Sequence, residues 1–126
     1  MTDPSGESSE KTTKSTTERM SLEDIVFMAN KVGMEYAKSK KVADHLDLLK
    51  PTYKSRALIR HDDGNISEAK LKRLAETDDE YVKFLAELAS AKSDCELLRI
   101  RYESYKNLFE ARRSMMSYQK AEMKIL

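Results

Sequence analysis

The side chains with the most chemical reach are two basic and aromatic runs near the C-terminus. Arg99, Arg101, Tyr102, Tyr105 and Lys106 form one, and Arg112, Arg113, Tyr118 and Lys120 form the other. At helical spacing each run puts cations and phenol rings on adjoining faces. Guanidinium and ammonium groups neutralise phosphates, and phenol rings stack on unpaired bases. Lys38, Lys40 and Lys41 add cations in the N-terminal half. The candidate phosphate contacts are therefore Lys38, Lys40, Lys41, Arg99, Arg101, Arg112 and Arg113. Tyr53 and Tyr118 are candidate stacking rings, whereas Tyr102 and Tyr105 also fall on an apolar seam and are candidates for the core. The same pattern describes a solvated coiled-coil surface whose long basic stems cover apolar area, and both readings stay open.

Other chemistry finds little support. His61 precedes Asp62 and Asp63, but no zinc-type spacing accompanies it, and a histidine at a helix C-terminus is favoured by the helix dipole. Asp62-Asp63-Gly64-Asn65 begins like a calcium loop, but the twelve-residue ligand pattern closing on Glu does not follow. Cys95 is the single cysteine and lies on the apolar seam, where a small buried side chain is expected. No glycine-rich phosphate loop is present. We expect no catalytic residue, no metal and no cofactor.

The elements that must position these groups are helices. The chain has 126 residues, 36% of them charged, with 3 Gly, 2 Pro and no Trp. So few turn formers argue against sandwiches, barrels and doubly wound sheets. Residues 1–20 are rich in Ser, Thr, Glu and Lys and read as a disordered tail. A first helix is expected from a Ser21 cap, with an apolar stripe at Ile25, Met28, Val32, Tyr36, Ser39, Ala43, Leu46 and Leu49. Pro51 is expected to kink or end it near Leu49. A turn follows at residues 61–65, and then a short helix over 67–76. Thr77 with Glu80 reads as a capping box opening the last helix. That helix carries a seven-residue repeat. Tyr81, Leu88, Cys95, Tyr102, Phe109, Met116 and Met123 occupy one seam position; Phe84, Ala91, Leu98, Tyr105 and Leu126 belong to the other, where Arg112 and Gln119 break the seam near its end. Leu98→Asp is expected to be severe, at the seam's centre.

An antiparallel packing of the two long helices makes the charge dipolar. Residues 62–80 hold 3 basic and 7 acidic groups, net −4, and residues 99–126 hold 7 and 3, net +4, within a formal total of +1. Two helices touch along one face only, so a homo-oligomer is expected, with basic halves brought together. The expected fold is all-α: a long antiparallel helical hairpin or coiled coil, with a kinked first helix and a short connecting helix. Residues 21–126 would form one domain for oligomerisation and single-stranded DNA binding. No apolar run is long enough to span a membrane, and a cytoplasmic location is expected.

The layout resembles the UvsY-type recombination mediators of T-even phages. Three features carry the resemblance: the basic segment Lys50-Pro51-Thr52-Tyr53-Lys54-Ser55-Arg56-Ala57, the acidic glycine loop Asp62-Asp63-Gly64-Asn65, and a long C-terminal helix through Asp94–Leu98 and Ala111–Ser114. It covers roughly residues 22–126; Pro51 and the Ser/Thr-rich tail depart from it. The resemblance implies a ring-like oligomer that binds single-stranded DNA and helps load a recombinase onto strands coated with single-strand binding protein, in the host cytoplasm. It also implies Lys54, Arg56 and Arg60 as DNA contacts. A coiled-coil scaffold or adaptor remains the alternative.

Overall fold

The computed structural model describes residues 20–125; the expected tail, apart from Met20, and Leu126 lie outside the described residues. Three helices make up the described chain: α1 (Leu22–His61), α2 (Glu68–Glu76) and α3 (Asp79–Ile125). The fold is all-α, as the scarcity of turn formers predicts. The chain divides into two compact units. One comprises residues 20–32 and 101–125, the other Gly33–Ile100.

The start of α1 is set by a reciprocal cap. The Asp24 amide donates to Ser21 Oγ at 3.1 Å, and the Ser21 amide donates to Asp24 Oδ2 at 3.1 Å. Two amides that lack intrahelical partners are thereby satisfied. The predicted stripe is the buried one. In the first unit Ile25 and Val32 are fully buried, each contributing about 1.5–3 kcal/mol by leaving water. In the second, Ala43 and Ala57 are buried, while Tyr36, Ser39, Leu46, Leu49 and Tyr53 are half-buried.

The helix does not end near Leu49. It runs through Pro51 to His61. The missing Pro51 amide would have donated to the Asp47 carbonyl. Pro51 is exposed, and an exposed position leaves that carbonyl to water. The alternative of two separate helices is thereby excluded.

In the Gly33–Ile100 unit, α1 and α3 pair in antiparallel order. Arg60 meets Glu80, Tyr53 meets Phe84, and Asp47 meets Lys92. Ala57, Ala75 and Tyr81 form a buried cluster, with Tyr53, Leu58 and Leu85 packed against it. Ala75 places α2 on that cluster, so the short helix folds onto its neighbours. Ser67 caps α2, its hydroxyl accepting from the Lys70 amide at 3.3 Å.

The expected capping box at Thr77 is corrected. Thr77 closes α2 instead of opening α3: its hydroxyl donates to the Arg73 carbonyl at 2.9 Å and approaches that of Leu74. Asp78 is the cap of α3, its Oδ2 accepting from the Tyr81 amide at 3.0 Å. Glu80 does not reach back to a cap; Arg60 and Arg56 draw it away.

The turn between α1 and α2 depends on Gly64, whose φ is +84°. Asp62 Oδ1 accepts from the Gly64 amide at 3.0 Å, and Asp63 Oδ1 accepts from the Asn65 amide at 2.9 Å. A Cβ at Gly64 would meet nothing within 4 Å, so only backbone strain opposes substitution. Gly64→Ala is expected to cost about 1–2 kcal/mol, read as a lower urea midpoint, with Gly64→Asn milder because Asn tolerates this region. Equal midpoints for the three proteins would show that the turn relaxes without penalty.

Candidate nucleic-acid interface

The candidate cations divide into those held in ion pairs and those left to solvent. In the Gly33–Ile100 unit, Lys40 Nζ lies 2.9 Å from Asp44 Oδ2, a hydrogen bond that raises the lysine's pKa. Arg99 is paired with Glu96 through two guanidinium nitrogens, which lowers the carboxylate's pKa. Arg56 stands over the Tyr53 ring, 5.4 Å from its centroid, and lies 3.9 Å from Glu80. Lys38, Lys41 and Lys54 are exposed and carry no ion pair among the described residues. In the other unit, Arg112 is half-buried and donates to the Met20 carbonyl at 2.8 Å. Arg101 and Arg113 are exposed, again without an ion pair among the described residues.

Arg60 is the most committed of the set. Its Nε donates to Asp78 Oδ1 at 3.2 Å and its Nη2 to Oδ2 at 2.6 Å, while Nη1 reaches Glu80. His61 Nε2 lies 2.9 Å from Asp78 Oδ1. Asp78 is 8% exposed, so a nearly buried carboxylate is held by a guanidinium, an imidazole and the Tyr81 amide. The Arg60 hydrogen bond, helped by the Tyr81 amide and His61, holds its pKa well below the carboxylate range, against the opposing effect of burial. Arg60 thus joins the end of α1 to the start of α3. Sequence reading placed Asp78 in an acidic cluster but did not identify this role. The signal was a basic pair, Arg60 and His61, closing α1 and acidic residues at the start of α3.

The rings are mostly withdrawn from solvent. Tyr53 stacks on Phe84 with centroids 4.1 Å apart and planes 7° from parallel. Tyr102 and Tyr105 are half-buried, and Lys106 sits 5.4 Å from the Tyr102 centroid. Only Tyr118, 66% exposed, presents an open face among the four.

The seam residues grade along α3. Tyr81, Phe84 and Leu88 are buried, whereas Cys95, Leu98, Tyr102, Tyr105 and Phe109 are half-buried. Met116 is exposed, and Met115, Met123 and Ile125 join it. Cys95 borders an open groove with Tyr36, Lys40, Asp44, Asp47, Lys92 and Glu96. In that groove Lys92 pairs with Asp47 at 3.1 Å and Lys40 with Asp44.

The outward face of α1 carries a second regular stripe. Met34, Lys38, Lys41, His45 and Leu48 follow one another at spacings of four, three, four and three, all of them exposed. Among the described residues no three His, Cys, Asp or Glu side chains converge as a metal site would require, and no helix is long and apolar enough to cross a membrane. No protein-family model, no curated protein and no solved structure matches this chain.

Proposed function

We propose that this chain is a non-enzymatic single-stranded DNA-binding protein, an accessory factor of recombination that assists recombinase loading. The observation that carries this reading is the set of exposed cations without a counter-charge: Lys38, Lys41, Lys54, Arg101 and Arg113. The protein has a formal net charge of only +1. Its bulk charge therefore gives little attraction to a polyanion, and binding must use local clusters of free cations. Paired cations such as Arg60 would have to surrender an intramolecular partner first. The place in recombination, with a recombinase and single-strand binding protein as partners, rests on the resemblance in layout to the UvsY-type mediators.

The working assembly in this proposal is a homo-oligomer, ring-like in the fullest form of the reading, built from long helical hairpins with a coiled-coil seam. Exposed Met115, Met116, Met123 and Ile125 support self-association, because apolar side chains clustered on one helix end gain by leaving water. The same residues favour the second reading, a scaffold that assembles with itself or with protein partners and binds no nucleic acid.

Fluorescence anisotropy with labelled single- and double-stranded oligonucleotides across a salt series separates the two. We expect tighter single-strand binding that weakens steeply with salt. Removing three phosphate contacts in a Lys54→Gln/Arg101→Gln/Arg113→Gln variant should flatten the log–log salt slope by about 2, at roughly 0.7 per contact. Sedimentation of the same samples should give a mass above the 14.5 kDa monomer. An intact assembly that binds no strand at low salt leaves the scaffold reading in its place.

A further inference from the structure

We infer that the outward stripe of α1 is the track on which the single strand lies, with Lys38 and Lys41 on phosphates and Met34 and Leu48 beneath bases. This rests on the single-strand reading above and assigns one of its contact faces, the one that carries Lys38 and Lys41. The rings suggested by sequence are poorly placed for base contact: Tyr53 is stacked on Phe84, and Tyr102 and Tyr105 are half-buried. Another apolar surface must then shelter the bases. Met34 and Leu48, 65% and 78% exposed, are large side chains facing solvent on the side of α1 opposite the buried stripe.

Charge selects an anionic occupant. Lys38, Lys41 and His45 occupy the stripe between the two apolar groups, and no carboxylate falls on it. Of the nearby acids of α1, Asp44 is paired with Lys40 and Asp47 with Lys92, while the exposed Glu35 lies about 100° around the helix from Met34. A second copy of this stripe would bring lysines against lysines. A helical partner would bury Lys38 and Lys41 in its seam, where unpaired charge is costly. A lipid surface favours helices with apolar and basic groups on separate faces, whereas here the basic groups lie between the two apolar ones on one line. A single strand offers phosphates and base faces side by side along its length. Each ammonium can therefore meet a phosphate while remaining hydrated, and the apolar side chains at the two ends of the stripe cover bases on either side. From Met34 to Leu48 the stripe runs roughly 21 Å at 1.5 Å per residue, the reach of a few nucleotides.

The test uses the full chain with a labelled oligothymidylate over a salt series, and vesicles of an anionic lipid as a second probe. Lys38→Gln/Lys41→Gln should flatten the salt slope by about 1.4, for two single-strand phosphate contacts. Met34→Ser/Leu48→Ser should weaken binding about 10-fold with the slope unchanged, as lost base contact without lost charge requires. Leu97→Ser, on an equally exposed apolar residue of α3, is the control and should bind as the parent does. All these positions are exposed, and circular dichroism should show unchanged helix. A parent that binds the strand while both stripe variants match it overturns this inference and leaves the single-strand reading standing. A parent that binds no strand overturns both. Stripe-dependent binding to the vesicles and not to the strand replaces the strand with a lipid surface.

Discussion

Phe84→Ala is expected to lower the unfolding free energy by about 3–5 kcal/mol, the usual cost of truncating a buried aromatic. Phe84 is 3% exposed, and its ring lies flat on Tyr53 of the facing helix. Truncation removes transfer energy, leaves a cavity and strips one face from the Tyr53 ring. Tyr53 in turn packs against the cluster of Ala57, Ala75 and Tyr81, which joins all three helices in that unit. A small helical protein has only about 5–15 kcal/mol of net stability in all, so the variant should lose much of its cooperative unfolding. Met116→Ala, at an exposed position of the same repeat, should fall within about 0.5 kcal/mol of the parent at a dilution that keeps single chains. Urea denaturation followed by circular dichroism measures both. If Met116→Ala proved the more damaging, the helix would be anchored from its C-terminal end and not by the stack at Phe84.

The contrast between those two positions shows what the sequence could reveal. A seven-residue repeat identifies which face of α3 is apolar, and it named Tyr81, Phe84 and Leu88 correctly as core positions. Arg112 and Gln119 break the repeat near its end and mark that half as the weaker core, and burial does fade toward Met116; the half-burial already reached at Leu98 and Phe109 carries no such mark in the sequence. Leu98, where a severe site is expected within an assembled seam, is half-buried in the single chain, whereas Phe84 is buried within it. On α1 the stripe from Ile25 to Leu49 was legible, since helical periodicity is a local property. Pro51 left a kink or an end open, and the helix runs through it; its cost depends on whether water reaches the freed carbonyl. The cap of α3 was missed by one residue. Thr77 and Asp78 both suit a helix start, and the choice is made by Arg60, 18 positions away from Asp78. Among the candidate cations the same long-range pairing separates Arg60 from Lys38, Lys41 and Lys54, a distinction no local pattern carries.

Asp78→Asn is expected to remove much of the acid sensitivity of folding and to lower stability at neutral pH. The carboxylate holds Arg60 through two hydrogen bonds, lies 2.9 Å from His61 Nε2 and caps α3 at the Tyr81 amide. Its pKa in the folded protein is depressed, chiefly by Arg60. A depressed carboxylate pKa means that the folded state binds its proton less readily than the unfolded chain does. The stabilisation is fully present above the unfolded value, about 3.9 for Asp, and is lost as the pH falls from there toward the folded value. The parent should therefore lose stability steeply below about pH 4. In Asp78→Asn the amide still accepts from the Tyr81 amide but gives Arg60 no counter-charge, so the variant begins less stable and falls less steeply over the same window. Thermal unfolding from pH 7 down to pH 2.5 follows both curves. Arg60→Gln should behave similarly at neutral pH while leaving a buried carboxylate with fewer donors, so its apparent Asp78 pKa should move up toward the ordinary range. Parallel acid limbs in the parent and Asp78→Asn would assign the acid transition to other carboxylates and would leave Asp78 as a cap alone.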